Sequence, residues 1–239
     1  MVMKKKDEAQ EILPSLSLAE TAYIQMNLNL SRKILGNILE SKNAVVDDKV
    51  IAEQRLALQD WMFYRDYYSA ISKLQHADSL KVKCSTWQVL SRIEREAGHS
   101  DEAQSAARKA FELAESEPDK EESGILLSNA IYSQSIQDLR EGKKLHNKLL
   151  DEANNILNDI LDREPGHPMA SKLLIGISLL RQDGPLALKA WHYYFNIPLQ
   201  QGADGLLSEP CKTLDALLPD WKGCILSQDK AEKLVLALA

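Results

Sequence analysis

The chain has 239 residues, of which 44% are apolar and 6% aromatic, with only 10 glycines and 8 prolines. This composition favours a helical protein over a β-sandwich. The formal net charge of −6 weighs against nucleic acid as a partner, because proteins that bind phosphate backbones usually carry a basic face.

The two ends of the chain differ in composition from the middle. Residues 1–14 are polar and lack the apolar core of a secretory signal, so we expect a flexible N-terminus. Residues 199–239 are rich in glycine and proline and close on an apolar segment without a cap, and we expect either capping helices or the connecting helices of a chain that continues. The sequence contains no apolar run of the roughly 18 residues that predict a membrane span. We therefore expect a cytoplasmic protein, although a removed signal would leave the same sequence.

Five helical hairpins are predicted between residues 15 and 198. The first runs over about 16–41, with Ser15 or Ser17 as its N-cap. The second places a helix over 48–63, a turn over 64–67 and another helix over 68–77.

The later hairpins follow the same plan with one longer step, whose extra residues at 115–122 and 139–145 are expected to form longer helices or a longer loop. Ser100 or Asp101 is expected to cap the second helix of the third hairpin. The fourth hairpin ends with a helix over 147–161, and the fifth spans 168–195. The acidic run 115–122 lacks the glycine and alternating oxygens of a calcium loop, so it is interpreted as a solvated connection.

One spacing pattern recurs in the second helix of every hairpin. A small residue is followed by apolar residues four and seven positions later, which marks a single stripe of a helix. Steps of 39, 33, 50 and 34 residues separate the small residues, which are Ser31, Ala70, Ala103, Ala153 and Ala187. A recurring step of this size is typical of stacked helical hairpins, so the expected fold is an all-α solenoid.

The pattern resembles the tetratricopeptide repeat family over roughly residues 16–198. Ala153, Leu157, Ile160 and Pro165 match four places of that family's second helix, and Trp87 matches its first-helix tryptophan. The resemblance implies a right-handed superhelix in which the first helices line a concave groove that holds peptides. By family position, the residues that line the groove are Arg55, Gln59, Met62, Gln88, Arg92 and Arg95.

Three arginines of this groove are candidates for binding a partner's carboxylates, because a guanidinium matches a carboxylate in a paired geometry. The alternative is that they pair with Glu94, Glu96 or other local acids. The aromatic residues near Trp61 are expected to pack between adjacent hairpins, and Trp191 and Tyr194 are expected in the core. Tyr193 and Phe195 lie off the repeat pattern and are expected either to cover the end of the array or to form part of a partner surface. The five histidines show no zinc-binding spacing and no nucleotide-binding loop is present, so neither metal nor cofactor is expected.

Two functions remain open from the sequence. The first is a non-catalytic scaffold that binds a protein or peptide partner. The second is an N-terminal regulatory part of a larger enzyme whose catalytic part lies beyond residue 239. The cysteines favour reduced thiols, with a Cys211–Cys224 disulfide as the alternative.

Overall fold

The computed structural model describes residues 15–181 together with positions 183, 186 and 190, and this part of the chain is all-helical. The expectations for residues 1–14, for 199–239, for Ala187, for the aromatic residues after Ala190 and for Cys211 and Cys224 lie outside the described residues. The described part forms two compact units, one ending at Val89 and the other beginning at Leu90.

The first unit contains four helices and a π-helical turn. Helix α1 is followed by α2, by α3 with a π turn at its end, and by α4; these segments are Leu16–Ile24, Leu28–Glu40, Val46–Gln59, Asp60–Tyr64 and Tyr67–Leu80. Consecutive helices pack on one another, and α1 also contacts α3. The core consists of alanines and branched side chains, among them Ala19, Leu35 and Ala52, all of which are fully buried.

Helix α5 spans Cys84–Ala97 and carries the chain from the first unit into the second. In the second unit, four more helices follow, α6 to α9, at Ser100–Leu113, Glu117–Arg140, Asn147–Arg163 and Pro168–Leu180. Helix α7 packs against α6, α8 and α9, so it forms the centre of this unit. No helix in the described part of the chain is both long and apolar enough to cross a membrane.

The recurring small residues lie where the spacing predicts. Ser31, Ala70, Ala103 and Ala153 are 0–1% exposed, and the apolar residues four and seven positions after each of them are also buried. A small side chain on this stripe lets a neighbouring helix approach closely, and the two apolar residues fill the space along the same face.

Local hydrogen bonding explains how several helices begin. Ser15, not Ser17, caps α1 by accepting a hydrogen bond from the backbone N–H of Leu18. Neither candidate caps α6: His99 is at its N-cap without a side-chain bond, and the helix begins at Ser100. The hydroxyl of Ser100 instead donates to the side chain of Gln137.

The acidic run 115–122 is a connection only at residues 115 and 116, because α7 begins at Glu117; of the longer helix and the longer loop expected there, the structure has the longer helix. Ser116 caps α7 by accepting from the N–H of Asp119, and Pro118 lies in the first turn, where its missing N–H costs nothing. Acidic side chains in that turn also complement the helix dipole. The longer step between the third and fourth hairpins therefore reflects a helix of 24 residues.

An exposed ion cluster links the start of α3 to the connection between α4 and α5. Asp47, in the first turn of α3, accepts from the ammonium groups of Lys83 and Lys81 at 2.8 and 2.9 Å. These hydrogen bonds, first from Lys83 and then from Lys81, lower the pKa of Asp47 to about 2. Both lysines lie in or beside the short connection that follows α4.

Candidate functional site

The π turn at the end of α3 is built around a buried carboxylate. Asp60 is 3% exposed, and its carboxylate accepts from Arg32, Lys73 and Ser69, each at 2.6 Å. Burial raises the pKa of Asp60, but the hydrogen bonds from Lys73, Ser69 and Arg32 together outweigh it, so the pKa is lowered. The carboxylate therefore stays charged and joins α2, the π turn and α4.

The backbone of the turn is fixed by the same residue. The carbonyl of Asp60 accepts from the N–H of Asp66 at 3.0 Å, and Arg65 between them adopts a left-handed conformation with φ of 53°. A non-glycine residue in this region is uncommon and costs conformational energy. The turn is thus held in a defined shape by contacts with α2 and α4.

This shape leaves three large side chains partly exposed at the end of α3. Met62, Phe63 and Tyr64 are 50%, 38% and 53% exposed, and we call them the apolar rim. Phe63 packs edge-on against Tyr23 of α1 with ring centroids 6.0 Å apart. The guanidinium of Arg32 lies over the Tyr64 ring, 5.1 Å from its centroid.

The aromatic residues of this region do not all pack as the sequence predicts. Trp61 and Tyr67 pack edge-on at 6.4 Å, and Tyr67 in turn contacts Tyr68. Tyr68, however, is 84% exposed. Exposed aromatic and methionine side chains are over-represented at protein interfaces, so this end of the first unit differs from an ordinary solvated surface.

Beside the rim, α1, α2 and α3 enclose a cleft of about 180 Å³. Apolar atoms contribute most of the lining surface, although four of the eight lining residues are polar or charged; the lining residues are Ala19, Glu20, Tyr23, Ser31, Arg55, Leu58, Gln59 and Met62. A cleft whose surface is mainly apolar and which carries some polar groups is a common form of ligand-binding site.

The polar groups of the cleft are fixed by neighbours, with one exception. Arg55 donates to Glu20 and to the carbonyl of Leu16, both at 3.0 Å, so its cation is already paired. Gln59 is 3% exposed and donates from Nε2 to the hydroxyl of Ser31 at 3.1 Å. Within the described part of the chain, the other amide atom, Oε1, is buried without a hydrogen-bond partner.

The structure brings together three of the predicted groove residues, because Arg55, Gln59 and Met62 all line this cleft. Gln88 also belongs to the first unit but is buried, with 6% of its surface exposed. Arg92 and Arg95 belong to the second unit, where Arg92 pairs with Glu122 of α7. Two of the three arginines thus pair with acids of other helices, Glu20 and Glu122, and not with Glu94 or Glu96.

The α1 side of the cleft was missed at the sequence level, although the signal for it was present. Gln59 and Met62 lie 11 and 8 positions before Ala70, and the same offsets from Ser31 give Glu20 and Tyr23. Both of these residues line the cleft. Applying the same offsets to the first hairpin would therefore have identified Glu20 and Tyr23.

A second cleft, of about 470 Å³, lies among α6, α7 and α8 of the second unit. Its charged residues include Glu117 and Arg163, which form an ion pair with each other. None of its lining residues has a buried polar atom left without a partner. Across the described residues, no group of histidine, cysteine and acidic side chains is arranged to hold a metal ion.

The geometry defines a helical protein with a small, largely apolar cleft beside an exposed apolar rim. Comparison with known proteins adds no identity, because no family model and no curated protein matches the chain.

Proposed function

We propose that this protein is a non-catalytic interaction scaffold that binds a segment of a partner protein. The cleft between α1 and α3, together with the apolar rim, forms the binding surface. In the wider proposal, residues 15–198 form a right-handed array of about five hairpins similar to tetratricopeptide repeats, acting in the cytoplasm. The buried small residue in the second helices of four hairpins supports the repeat.

One observation carries the proposal: the residues at equivalent positions in two successive hairpins line a single cleft. Glu20 and Tyr23 of the first hairpin face the same space as Gln59 and Met62 of the second. Equivalent positions along stacked hairpins form a continuous surface in helical repeat proteins, and such surfaces bind extended partners.

The exposure of the apolar rim favours a partner-binding role for its side chains over a purely structural one. Met62 and Tyr64 each leave about half of their surface in water, although the turn that holds them is fixed by a buried carboxylate. Such side chains, kept exposed by a rigid backbone, gain free energy when a partner covers them, at about 25 cal/mol for each Å² of apolar surface. Preformed surfaces of this kind also lose little entropy on binding.

The test is selection of binders from a displayed library of random peptides against the full chain. We expect selected peptides to bind at least about tenfold more weakly to the Met62→Asp variant, because a carboxylate would be desolvated in the apolar cleft. Val82→Asp is the matched control, because Val82 is 54% exposed, belongs to the first unit and does not line the cleft. Equal losses in both variants, or no enriched peptide, would reject the proposed surface.

A double variant tests the predicted residues of the other unit. If the partner also contacts Arg92 and Arg95, reversing both to glutamate should weaken binding and increase its tolerance of salt. Exposed ion pairs contribute only about 0–1 kcal/mol to folding, so circular dichroism and melting should change little. Unchanged affinity would restrict the binding surface to the first unit.

A further inference from the structure

We propose that the bound segment carries an aspartate or glutamate side chain among its apolar residues, and that this carboxylate pairs with the guanidinium of Arg65 in the turn between α3 and α4. The inference rests on the proposed function, because it names the chemistry of the segment that the apolar rim binds. It is carried by a cation that the fold holds in place without a carboxylate partner, in a turn whose backbone conformation favours glycine.

The turns that join the helices of the first two hairpins share an uncommon backbone conformation. In the described part of the chain, Met26 and Arg65 are the only residues other than glycine with a positive φ, at 59° and 53°. Each lies five positions before the recurring small residue of its hairpin, and the equivalent position in the third hairpin is Gly98, with a φ of 87°. Glycine adopts this conformation without a steric penalty, whereas a side chain there costs conformational energy. The backbone therefore does not account for a methionine and an arginine at these positions.

The two turns lie at the same end of the first unit and expose apolar side chains there. Tyr23, near the end of α1, packs against Phe63 of the apolar rim, so the turn after α1 lies beside the turn after α3. Ile24 and Met26, at the end of α1 and in the turn that follows it, are each 72% exposed. Apolar side chains are thus exposed on both turns, and a partner that covers the rim has further apolar surface beside it.

Arg65 is held over an aromatic ring at this end of the unit. The central carbon of its guanidinium lies 5.4 Å from the centroid of the Trp61 ring, and Tyr67 packs edge-on against the same ring. A guanidinium above an aromatic face keeps N–H donors at its edge, where they match the two oxygens of a carboxylate. Arg65 is exposed, so a partner can reach these donors. Because the side chain is already ordered, less entropy is lost when the pair forms.

The structure leaves Arg65 without a carboxylate. Each acid of the cleft and of the α3–α4 turn already accepts a hydrogen bond from a neighbouring group; the three acids are Glu20, Asp60 and Asp66. Among the residues that the structure describes, none forms an ion pair with Arg65, although the other two arginines of α2 and α3 each have one. The missing carboxylate is therefore one that a partner can supply.

The number of unpaired charges indicates the class of partner. A single guanidinium matches a single carboxylate, whereas anionic membranes are bound through clusters of about four to eight lysines and arginines and nucleic acids through several phosphate contacts. The formal net charge of −6 also opposes both polyanions. Exposed tyrosines precede and follow Arg65 along the chain, at Tyr64 and Tyr68. A segment that covers both rings has its acidic residue in its interior and not at its end.

The test uses the peptides that are selected on the full chain and lose affinity with Met62→Asp. They are synthesised with an amidated C-terminus, so that side chains supply their only carboxylates. We expect an aspartate or glutamate in these peptides and about fivefold weaker binding to Arg65→Asn by isothermal titration calorimetry. Asparagine tolerates the left-handed conformation, so circular dichroism should show unchanged helix content. Lys42→Asn is the matched control and should keep the wild-type affinity, because Lys42 is exposed in the connection between α2 and α3.

A double-mutant cycle assigns the pair of charges. Replacing the acid of the peptide with its amide should weaken binding to the wild type by about fivefold and should weaken binding to Arg65→Asn no further. Added salt should reduce the affinity of the wild type more than that of Arg65→Asn, because exposed ion pairs are screened. An amide peptide that binds the wild type as tightly as the acid peptide would overturn the inference.

The Met26→Asn variant separates the apolar surface from the charge. It keeps a residue that tolerates the left-handed conformation and removes the exposed thioether, so it should weaken the acid and amide peptides by the same factor. The preference for the acid should therefore persist in Met26→Asn and disappear in Arg65→Asn. Loss of this preference in both variants would show that Arg65 acts only through the shape of the surface.

Three results would overturn the inference and leave the proposed function intact. They are equal binding of the peptides to Arg65→Asn and the wild type, equal losses in Arg65→Asn and Lys42→Asn, and peptides that respond to Met62→Asp but contain no acid. Vesicles of phosphatidylserine and phosphatidylcholine that sediment with the wild type but not with Arg65→Asn would assign the cation to a membrane, and would overturn it too. Failure of the proposed function has a different signature, because then no selected peptide responds to Met62→Asp and the inference falls with it.

Discussion

The carboxylate of Asp60 sets the shape of the π turn, so replacing it with asparagine should destabilise the first unit. Asparagine has nearly the same size but no charge. Its NH₂ group would face Lys73, Arg32 or Ser69, all of which donate to the carboxylate in the wild type. At least one charge-assisted hydrogen bond is lost, which is worth about 1.5–3 kcal/mol.

The expected loss of stability in Asp60→Asn is smaller than the loss that follows when a fully buried ion pair is broken. Removing one partner of a buried ion pair costs about 3–5 kcal/mol, but the side chains of Arg32 and Lys73 are 29% and 24% exposed and recover some hydration. We therefore expect Asp60→Asn to lower the free energy of unfolding by about 2–3 kcal/mol. At about 2–4 °C per kcal/mol for a chain of this size, the melting temperature should fall by about 4–12 °C.

The control is the same exchange six residues later. Asp66 caps α4 by accepting from the N–H of Ser69, and asparagine caps as well as aspartate does. Asp66→Asn should therefore melt close to the wild type when both are followed by far-UV circular dichroism. Similar melting of Asp60→Asn and the wild type would refute the role of this carboxylate.

The pH dependence of the stability difference between the wild type and Asp60→Asn gives a second check. The pKa of Asp60 is lowered in the folded protein, so its charge stabilises the fold fully above the unfolded pKa, near about 3.9. That stability is lost as the pH falls through the folded pKa, because the folded state must then take up a proton. The gap between wild type and Asp60→Asn should thus be constant at neutral pH and shrink only below about pH 4.

Three further predictions concern packing and charge. Ala153 is fully buried, so Ala153→Leu should cost about 1–3 kcal/mol in chemical denaturation, whereas Asn155→Leu at an exposed position of the same helix should cost nothing. Gly36→Ala should stabilise the fold by about 0.5–1 kcal/mol, because a Cβ there meets open space. Gly176→Ala should destabilise the fold, because its Cβ would lie 2.7 Å from a tyrosine ring. The carboxyl of Asp47 should titrate near pH 2 by NMR, since two lysine ammonium groups hydrogen-bond to it; a midpoint near 3.8 would contradict this pairing.

The stripe of small residues could be predicted because it depends on local spacing. Ala70, Ala103 and Ala153 carry the period of a helix in the sequence itself, and a small residue that recurs on an apolar stripe indicates a close approach of two helices. The resemblance to tetratricopeptide repeats also implied that Arg55, Gln59 and Met62 share a surface, and the three residues line one cleft. These features could be predicted because they depend only on contacts within one hairpin or between successive hairpins.

The features that could not be predicted from the sequence depend on partners far away in the chain or on competing local signals. Asp60 gives no sign in the sequence that it meets Arg32, 28 residues earlier, or that α3 ends in a π turn. Burial of Gln59 likewise depends on the approach of α2. The start of α7 was misread because an acidic run with a proline resembles a loop, although Ser116 and Asp119 form a cap that could have been recognised.

The ion cluster at Asp60 and the buried amide of Gln59 have different roles although the two residues are adjacent in sequence. A buried charge contributes little net stability compared with well-packed apolar residues, but it restricts the backbone to geometries that satisfy its hydrogen bonds. Here that geometry holds Met62 at the cleft, next to Gln59. Asp60→Asn should consequently weaken binding of the selected peptides to the cleft together with the loss of stability. A variant that melts early yet keeps full peptide affinity would show that the cleft does not depend on the π turn.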